Sequence, residues 1–404
     1  MRKTAIFCLV FVMILTICEN GVFAQGLDLD GFLESYYSVR LTDEHDFIGE
    51  RSSIRLNIRN STDNTYMFVS FKGVSNQITE AGDEAEFKIH EAYLEYTMPR
   101  WDVKIGRQIY SWGKADGLRI TDVLSPCDYS EHITRDFDEI RIPVDSVKYR
   151  YLFSKANLEL VWIPIFTEAI YPTGEANPWY VGTAQGVTIN PAEEVDDKLG
   201  NSELATRLSF HLNGIDFSFS TAYLWDDEPA YHKVGDHTYT PQYHRLKFVG
   251  VDLSKPVNDF VIRFESAYYQ GKYFAAENSF GVLEKDYLYS LVGLDWYPGN
   301  AWTVSAQLAD KHIFDYDDVI KEDESQIVIT FNLAKSLFRE TFKVKNMVYY
   351  EPEKKDGFNR FSSDYAISDS LHFLTGIDYF FGDKGQFSSY DRNDSFWIKL
   401  KYDF

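Results

Sequence analysis

Hydrophobic and polar positions alternate most cleanly in "DSFWIKLKYDF", residues 394–404. Phe396, Ile398, Leu400, Tyr402 and Phe404 fall on one face of an extended chain, with Trp397, Lys399, Lys401 and Asp403 on the other. A period of two is the signature of a strand with one apolar and one wet face. The same rhythm recurs near 50–61, where Ile54, Leu56 and Ile58 alternate with Arg51, Arg55 and Arg59, and again near 215–226, 302–311 and 326–333. Each stretch is about the length that crosses a bilayer as a tilted strand.

The connections alternate as well. Short ones are expected at Thr62-Asp63-Asn64, Pro99-Arg100, Asn213-Gly214, Lys255-Pro256, Pro298-Gly299, Ala334-Lys335-Ser336 and Asp369-Ser370. Between them lie long polar stretches at 42–49, 75–85, 111–142, 167–201, 227–242, 272–283 and 313–323. Soluble hairpins have no reason to sort loops by parity, whereas a membrane barrel has short turns on one side and long loops on the other. Counting residues 358–368 as a strand gives about eighteen strands, an even number that leaves both ends on the short-turn side; sixteen is the alternative. The predicted fold is all-β: a transmembrane antiparallel β-barrel of about 18 strands with long external loops and one infolded constriction loop.

Composition sharpens this picture. Aromatic residues make up 17% of the chain, yet the mean hydropathy of −0.31 is that of a soluble protein. Alternating lipid-facing and water-facing residues cancel in such an average. Arg2 and Lys3 precede an apolar run from Ala5 to Cys18, followed by Val22-Phe23-Ala24. We read 1–24 as a cleaved export signal and 25–404 as one barrel domain, placed in the outer membrane of a Gram-negative bacterium. Cys127 is then the single cysteine, which excludes a disulfide scaffold. The terminal Phe404 resembles the end of the last strand of outer-membrane barrels, which implies the barrel-assembly machinery and outer-membrane lipid as partners.

The formal charge is −22, but the strands put cations on their polar faces. Arg51, Arg55, Arg59, Lys104, Lys148, Arg150, Arg207, Arg263, Lys343 and Lys345 are the expected pore-lining residues, with Arg360, Lys399 and Lys401 beside them. Inward acids are expected to be fewer, with Asp102, Glu159, Asp216, Glu265 and Asp364 the clearest. The excess acid falls in loops such as Asp43-Glu44, Asp83-Glu84, Glu193-Glu194, Asp226-Asp227-Glu228 and 315–324. A basic bore favours anions. The alternative is that each cation pairs with a carboxylate on a neighbouring strand and only stiffens the wall.

Residues 106–117, "GRQIYSWGKADG", contain Gly113-Lys114 but are no phosphate-binding loop. Such a loop needs four residues between its first glycine and Gly-Lys, then Ser or Thr, whereas here there are six, and Ala115 follows. The segment instead opens the long connection 111–142, and a loop of that length in a compact protein is commonly functional. We expect it to fold inward and narrow the bore, with Arg107, Trp112, Gly113, Lys114, Arg119 and Arg135 as the constriction residues and Arg141 adding charge. The alternative is an external lid.

The stretch "IGRQIYSWGKADGLRITDVLSP" resembles the strand and following loop of an uncharacterised family of bacterial outer-membrane porin-like barrels. Those barrels are distantly similar to the alginate exporters. The resemblance implies a channel, not alginate, and carries over Arg107, Trp112 and Gly113 as loop-anchoring positions. Of the remaining chemistry, His232, His237 and His244 share one loop without the spacing of a metal motif. No nucleophile-and-base motif is present. We expect no enzyme, cofactor, metal site or nucleic-acid partner. The function expected is a passive channel for small hydrophilic solutes, with anion preference as the expectation from the basic bore. The alternative is a closed barrel acting as a surface adhesin or assembly factor through its external loops.

Overall fold

The computed structural model describes residues 27–42, 45–78, 85–182, 186–277 and 281–404. The expected export signal and the acidic pairs Asp43-Glu44 and Asp83-Glu84 lie outside the described residues. Seven strands come first: β1 (Leu27–Arg40), β2 (Phe47–Ser61), β3 (Thr65–Asn76), β4 (Glu86–Met98), β5 (Trp101–Gln108), β6 (Val144–Leu152) and β7 (Ala156–Ile163). After the two-residue β8 (Thr188–Ile189) come β9 (Glu203–Leu212) and β10 (Ile215–Trp225), then the short β11 (Ala230–Lys233) and β12 (Thr238–Gln242). The remaining strands are β13 (Arg245–Val257), β14 (Phe260–Ala275), β15 (Val282–Trp296), β16 (Trp302–Ile313), β17 (Ser325–Leu337), β18 (Phe342–Glu351), β19 (Asp356–Ala366), β20 (Leu371–Phe381) and β21 (Ser395–Asp403).

Among the described residues, eighteen of these strands form one sheet in which each pairs antiparallel with its sequence neighbours. The sheet closes where β1 meets β21, from Phe32 opposite Asp403 to Arg40 opposite Ser395. Closure removes the sheet edges, so no ladder donor faces lipid unpaired. β8, β11 and β12 form a separate small sheet outside the wall.

Short connections (62–64, 99–100, 153–155, 213–214, 258–259, 297–301, 338–341 and 367–370) collect at the end that holds both termini of the barrel. Two expected turns are displaced. Lys255 and Pro256 are the penultimate ladder residues of β13 and the chain turns at Asn258, whose φ of 52° suits asparagine. Proline at a strand end forfeits no central ladder bond. Ala334–Ser336 likewise continue β17, and the reversal comes at 338–341.

The two faces are distinct in β21. Phe396, Ile398 and Leu400 are 44%, 38% and 47% exposed, whereas Trp397 and Lys399 are 6% and 8% exposed. The apolar set faces outward and the polar set faces the bore. Near the short-turn end the outer face carries an aromatic girdle, with Tyr96 against Trp101 (5.9 Å), Trp101 against Tyr149 (6.4 Å) and Phe260 stacked on Trp296 (6.0 Å). Such girdles flank the apolar band of membrane barrels.

Candidate constriction in the bore

The long connection 109–143 turns into the bore. Its fold starts from its own side chains. The Tyr110 and Trp112 amides donate to Ser125 Oγ (2.8 Å) and Asp122 Oδ1 (3.0 Å). The Arg119 guanidinium donates to the carbonyls of Asp122 (3.0 Å) and Ser125 (2.7 Å). Asp128 N to Ile140 O and Ile142 N to Pro126 O, both 2.7 Å, tie the returning limb to the outgoing one. These bonds satisfy backbone groups that a strand ladder would otherwise satisfy.

The loop then spans the bore from wall to wall. On one side the Glu265 carboxylate of β14, 1% exposed, accepts the amides of Lys114, Ala115 (2.5 Å) and Thr121 (3.1 Å) and the Thr121 hydroxyl (2.8 Å). Gln307 of β16 exchanges two hydrogen bonds with the backbone of Asp116, at 3.1 and 3.0 Å. Arg263 donates to Lys114 O (2.7 Å) and to Asp116 (3.0 Å). Gly113 has φ +92°, and a Cβ there would press on Thr121 Oγ1 at 2.8 Å. At Gly117 (φ +75°) a Cβ would run into the Tyr349 hydroxyl of β18. Opposite, Arg51 of β2 and Asn76 of β3 grip Glu131 at 2.6 and 3.1 Å, and Lys399 of β21 reaches Asp136 at 3.2 Å.

Apolar packing reinforces these anchors. Tyr110, Trp112, Ile120 and Leu124 pack onto an apolar patch of the inner wall that includes Val161, Leu246, Phe248 and Tyr269. At the mouth His132 stacks on Tyr390 (4.2 Å) and lies 6.2 Å from Trp179, near Phe380 and Phe387. Burial holds this imidazole down to about 4, neutral among its rings. Burial opposes ionisation of Asp136, but Lys399 and Arg360 outweigh it and hold the carboxyl below its usual range.

The expected pore-lining cations point into the bore, and most meet a carboxylate. Arg51 pairs with Glu131 and Glu34, Arg59 with Asp30, Arg150 with Asp102 (2.8 Å), Arg207 with Asp252 (2.8 Å) and Arg263 with Asp295. Lys104 and Lys148 lie farther from Glu95 (3.7 Å) and Glu159 (3.9 Å). Inward acids are therefore more numerous than expected: Glu34, Glu95, Asp252, Asp295 and Asp378 join the five anticipated. Their register gives some of them away, since Asp102 stands directly opposite Arg150, Glu95 opposite Lys104 and Asp378 opposite Arg360. Cross-strand neighbours of opposite sign pair for a small gain each.

Among the described residues, four cations on the inward strand faces, Arg55, Lys72, Lys343 and Lys345, make no ion pair with a carboxylate. Arg55 contacts His90 Nε2 (3.0 Å) and lies over the Phe32 ring (5.5 Å). Lys72, directly opposite it on β3, is 7% exposed. Lys343 and Lys345 extend into the lumen on the β18 face that carries Tyr349. Beneath the loop a polar recess of about 290 Å³ is lined by Lys114, Lys148, Arg150, Arg207, His211 and Glu159 among others.

Within the loop, Trp112 donates Nε1–H to Glu159 (2.9 Å), and its ring lies under Arg207 (5.6 Å). Arg119 and Arg135 are spent inside the loop system, Arg119 also reaching Asp227 (3.3 Å) and Arg135 bound to Asp128 (2.6 Å), so neither is a free pore charge. Arg141 is held by Asp122 and Asp138. Arg107 is a correction: it is not part of the constriction. It lies in β5 on the outward face shared with Ile105, paired with Asp145 at 2.8 Å, because the period-two register from Asp102 and Lys104 sends position 107 outside. His232 and His244 are brought together, Nε2 to Nε2 at 2.7 Å, with His244 stacked on Tyr273.

Residues 38–374 match the model of a family described as "Protein of unknown function (DUF1302)". No curated protein matches. Among solved structures the chain is similar to OccAB3 of Acinetobacter baumannii, with TM-score 0.55 and 11% identity over 94% of this chain and 99% of that one. It is also similar to OccK11 (OpdR) of Pseudomonas aeruginosa, with TM-score 0.54 and 9% identity over 94% and 96%. A third is OmpT, an outer membrane protein of Vibrio cholerae in a trimer form, with TM-score 0.50 and 11% identity over 94% and 99%. At these identities the likeness is one of fold: a closed outer-membrane barrel.

Proposed function

The chain belongs to the DUF1302 family, and we propose that it is an outer-membrane channel for passive diffusion of small hydrophilic solutes, with a preference for anions. One observation carries the reading. A closed barrel with a charged interior contains a long loop fixed across its bore by side chains from β2, β3, β14, β16 and β21, as a size filter requires. In this reading 1–24 is removed on export and 25–404 is the barrel. The solutes are small and hydrophilic, and no catalytic step is involved.

The anion preference rests on the four unpartnered cations rather than on the whole basic set. A paired arginine presents little net charge to a passing ion, whereas Arg55, Lys72, Lys343 and Lys345 are not neutralised by a direct ion pair. The second reading, a closed barrel whose external loops bind a surface partner, requires that the loop's packing onto the inner wall leave no open path beside it.

The reversal potential of the purified protein in a planar bilayer under a salt gradient separates these readings. A chloride-biased conductance that moves toward neutrality in Arg55→Gln/Lys72→Gln and in Lys343→Gln/Lys345→Gln supports the anion channel. A cation bias overturns the preference and keeps the channel. Absence of conductance from folded protein supports the closed barrel.

A further inference from the structure

The outer wall is not uniform. Across β9, β10, β13 and β14 one outward row reads Leu204, Tyr223, Lys247, Gln270 in cross-strand register, and the next row toward the short-turn end reads Thr206, Thr221, Val249, Tyr268. Two short threonines between Leu204 and Tyr223 on one side and the exposed Phe219 on the other leave a notch of about 470 Å³ in the wall, lined mainly by apolar surface. Lys247 stands at its rim, exposed, bonded only to Gln270 Oε1 (3.3 Å), with no carboxylate partner among the described residues. Asp286, beside the notch, is occupied by the Tyr268 hydroxyl and the Gly271 amide (3.0 Å).

An ammonium on a lipid-facing wall is unfavourable unless it reaches polar headgroups. Lys247 sits two residues below the last β10–β13 pair, Trp225 with Arg245, roughly 7 Å along the strand. Beside it Arg245 lies over the rings of Tyr223 (4.8 Å) and Trp225 (4.2 Å), an arrangement suited to a membrane interface. We propose that this notch is a lipid site: one acyl chain of an anionic, phosphate-bearing lipid in the leaflet at the long-loop end fills the threonine hollow while its phosphate meets Lys247. The site rests on the outward face being membrane-embedded, and it is separate from the bore.

The test is native mass spectrometry of the detergent-folded chain mixed with dioleoyl phosphatidylglycerol or with dioleoyl phosphatidylcholine. We expect one phosphatidylglycerol retained about fivefold better than phosphatidylcholine, the factor a single lysine gives near an anionic headgroup. Lys247→Gln should erase that difference. Thr221→Trp should lower retention of both lipids by filling the hollow, and the milder Thr206→Leu should repeat the effect. Conductance of all three variants should match the parent protein, so a failure of the channel reading is seen separately. Equal retention of the two lipids by the parent, or retention unmoved by the variants, overturns the site. Loss of an oligomer peak in Thr221→Trp would instead assign the notch to contact between copies and overturn it too.

Discussion

If Glu265 is the latch of the bore loop, its removal has a calculable effect. The carboxylate accepts three backbone amides and one hydroxyl from residues 114–121. In Glu265→Ala these donors lose their acceptor in a nearly dry place. An unpaired buried donor costs about 1–3 kcal/mol, so three amides set an upper range of roughly 3–9 kcal/mol. Water entering from the lumen satisfies some of them, which brings the cost toward about 3 kcal/mol. That shift raises the population of detached loop about a hundredfold. Glu265→Gln keeps one oxygen acceptor and should fall between. The assay is single-channel conductance together with the largest polyethylene glycol that enters the bore. We expect higher conductance, flicker and a larger size limit in Ala than in Gln, and in Gln than in the parent chain. Gln307 and Arg263 still hold the loop at Asp116, so the barrel itself should melt as before. Unchanged conductance and unchanged size limit in a folded Glu265→Ala protein would refute the latch.

Arg51→Gln leaves buried Glu131 with Asn76 and buried Glu34 with Lys399 as remaining partners, and should destabilise the barrel by about 3 kcal/mol, the low end of the cost of breaking a buried ion pair from one side. Arg107→Gln breaks an exposed pair and should change stability by less than about 1 kcal/mol; heat-modified mobility in denaturing gels measures both. Gly117→Ala combines a left-handed backbone with a clash on Tyr349 and should disorder the loop near 117, read as faster amide exchange there, while Tyr349→Ala in the same chain should relieve part of it. His132 has its folded value depressed from 6.5 to about 4, so the neutral form favours the native mouth. For a base this stabilisation is complete above pH 6.5 and is lost as pH falls toward 4. Amide exchange of 130–134 should rise across that window and stay flat in His132→Phe.

Period-two alternation and loop parity, both local properties, determined that the chain forms strands, how many, and which end carries the long loops. They also marked the outward face of β21 and the inward pointing of Arg51, Arg55 and Arg59, since a side chain's face follows from its position in the strand. The constriction loop was legible from its length and from glycines that no ladder requires. What tertiary structure alone decided is which cations remain free. Arg51 and Lys72 lie on adjacent strands with the same pattern, yet one meets Glu131 from a loop eighty residues away and the other meets no carboxylate. Pairing depends on register across non-consecutive segments, which periodicity within one strand does not contain. The same limit hid the loop's seat: Leu246 and Phe248 face the bore, not lipid, because the loop covers them with Trp112 and Ile120. An apolar face states that it must be buried; only the folded chain decides whether lipid or protein buries it.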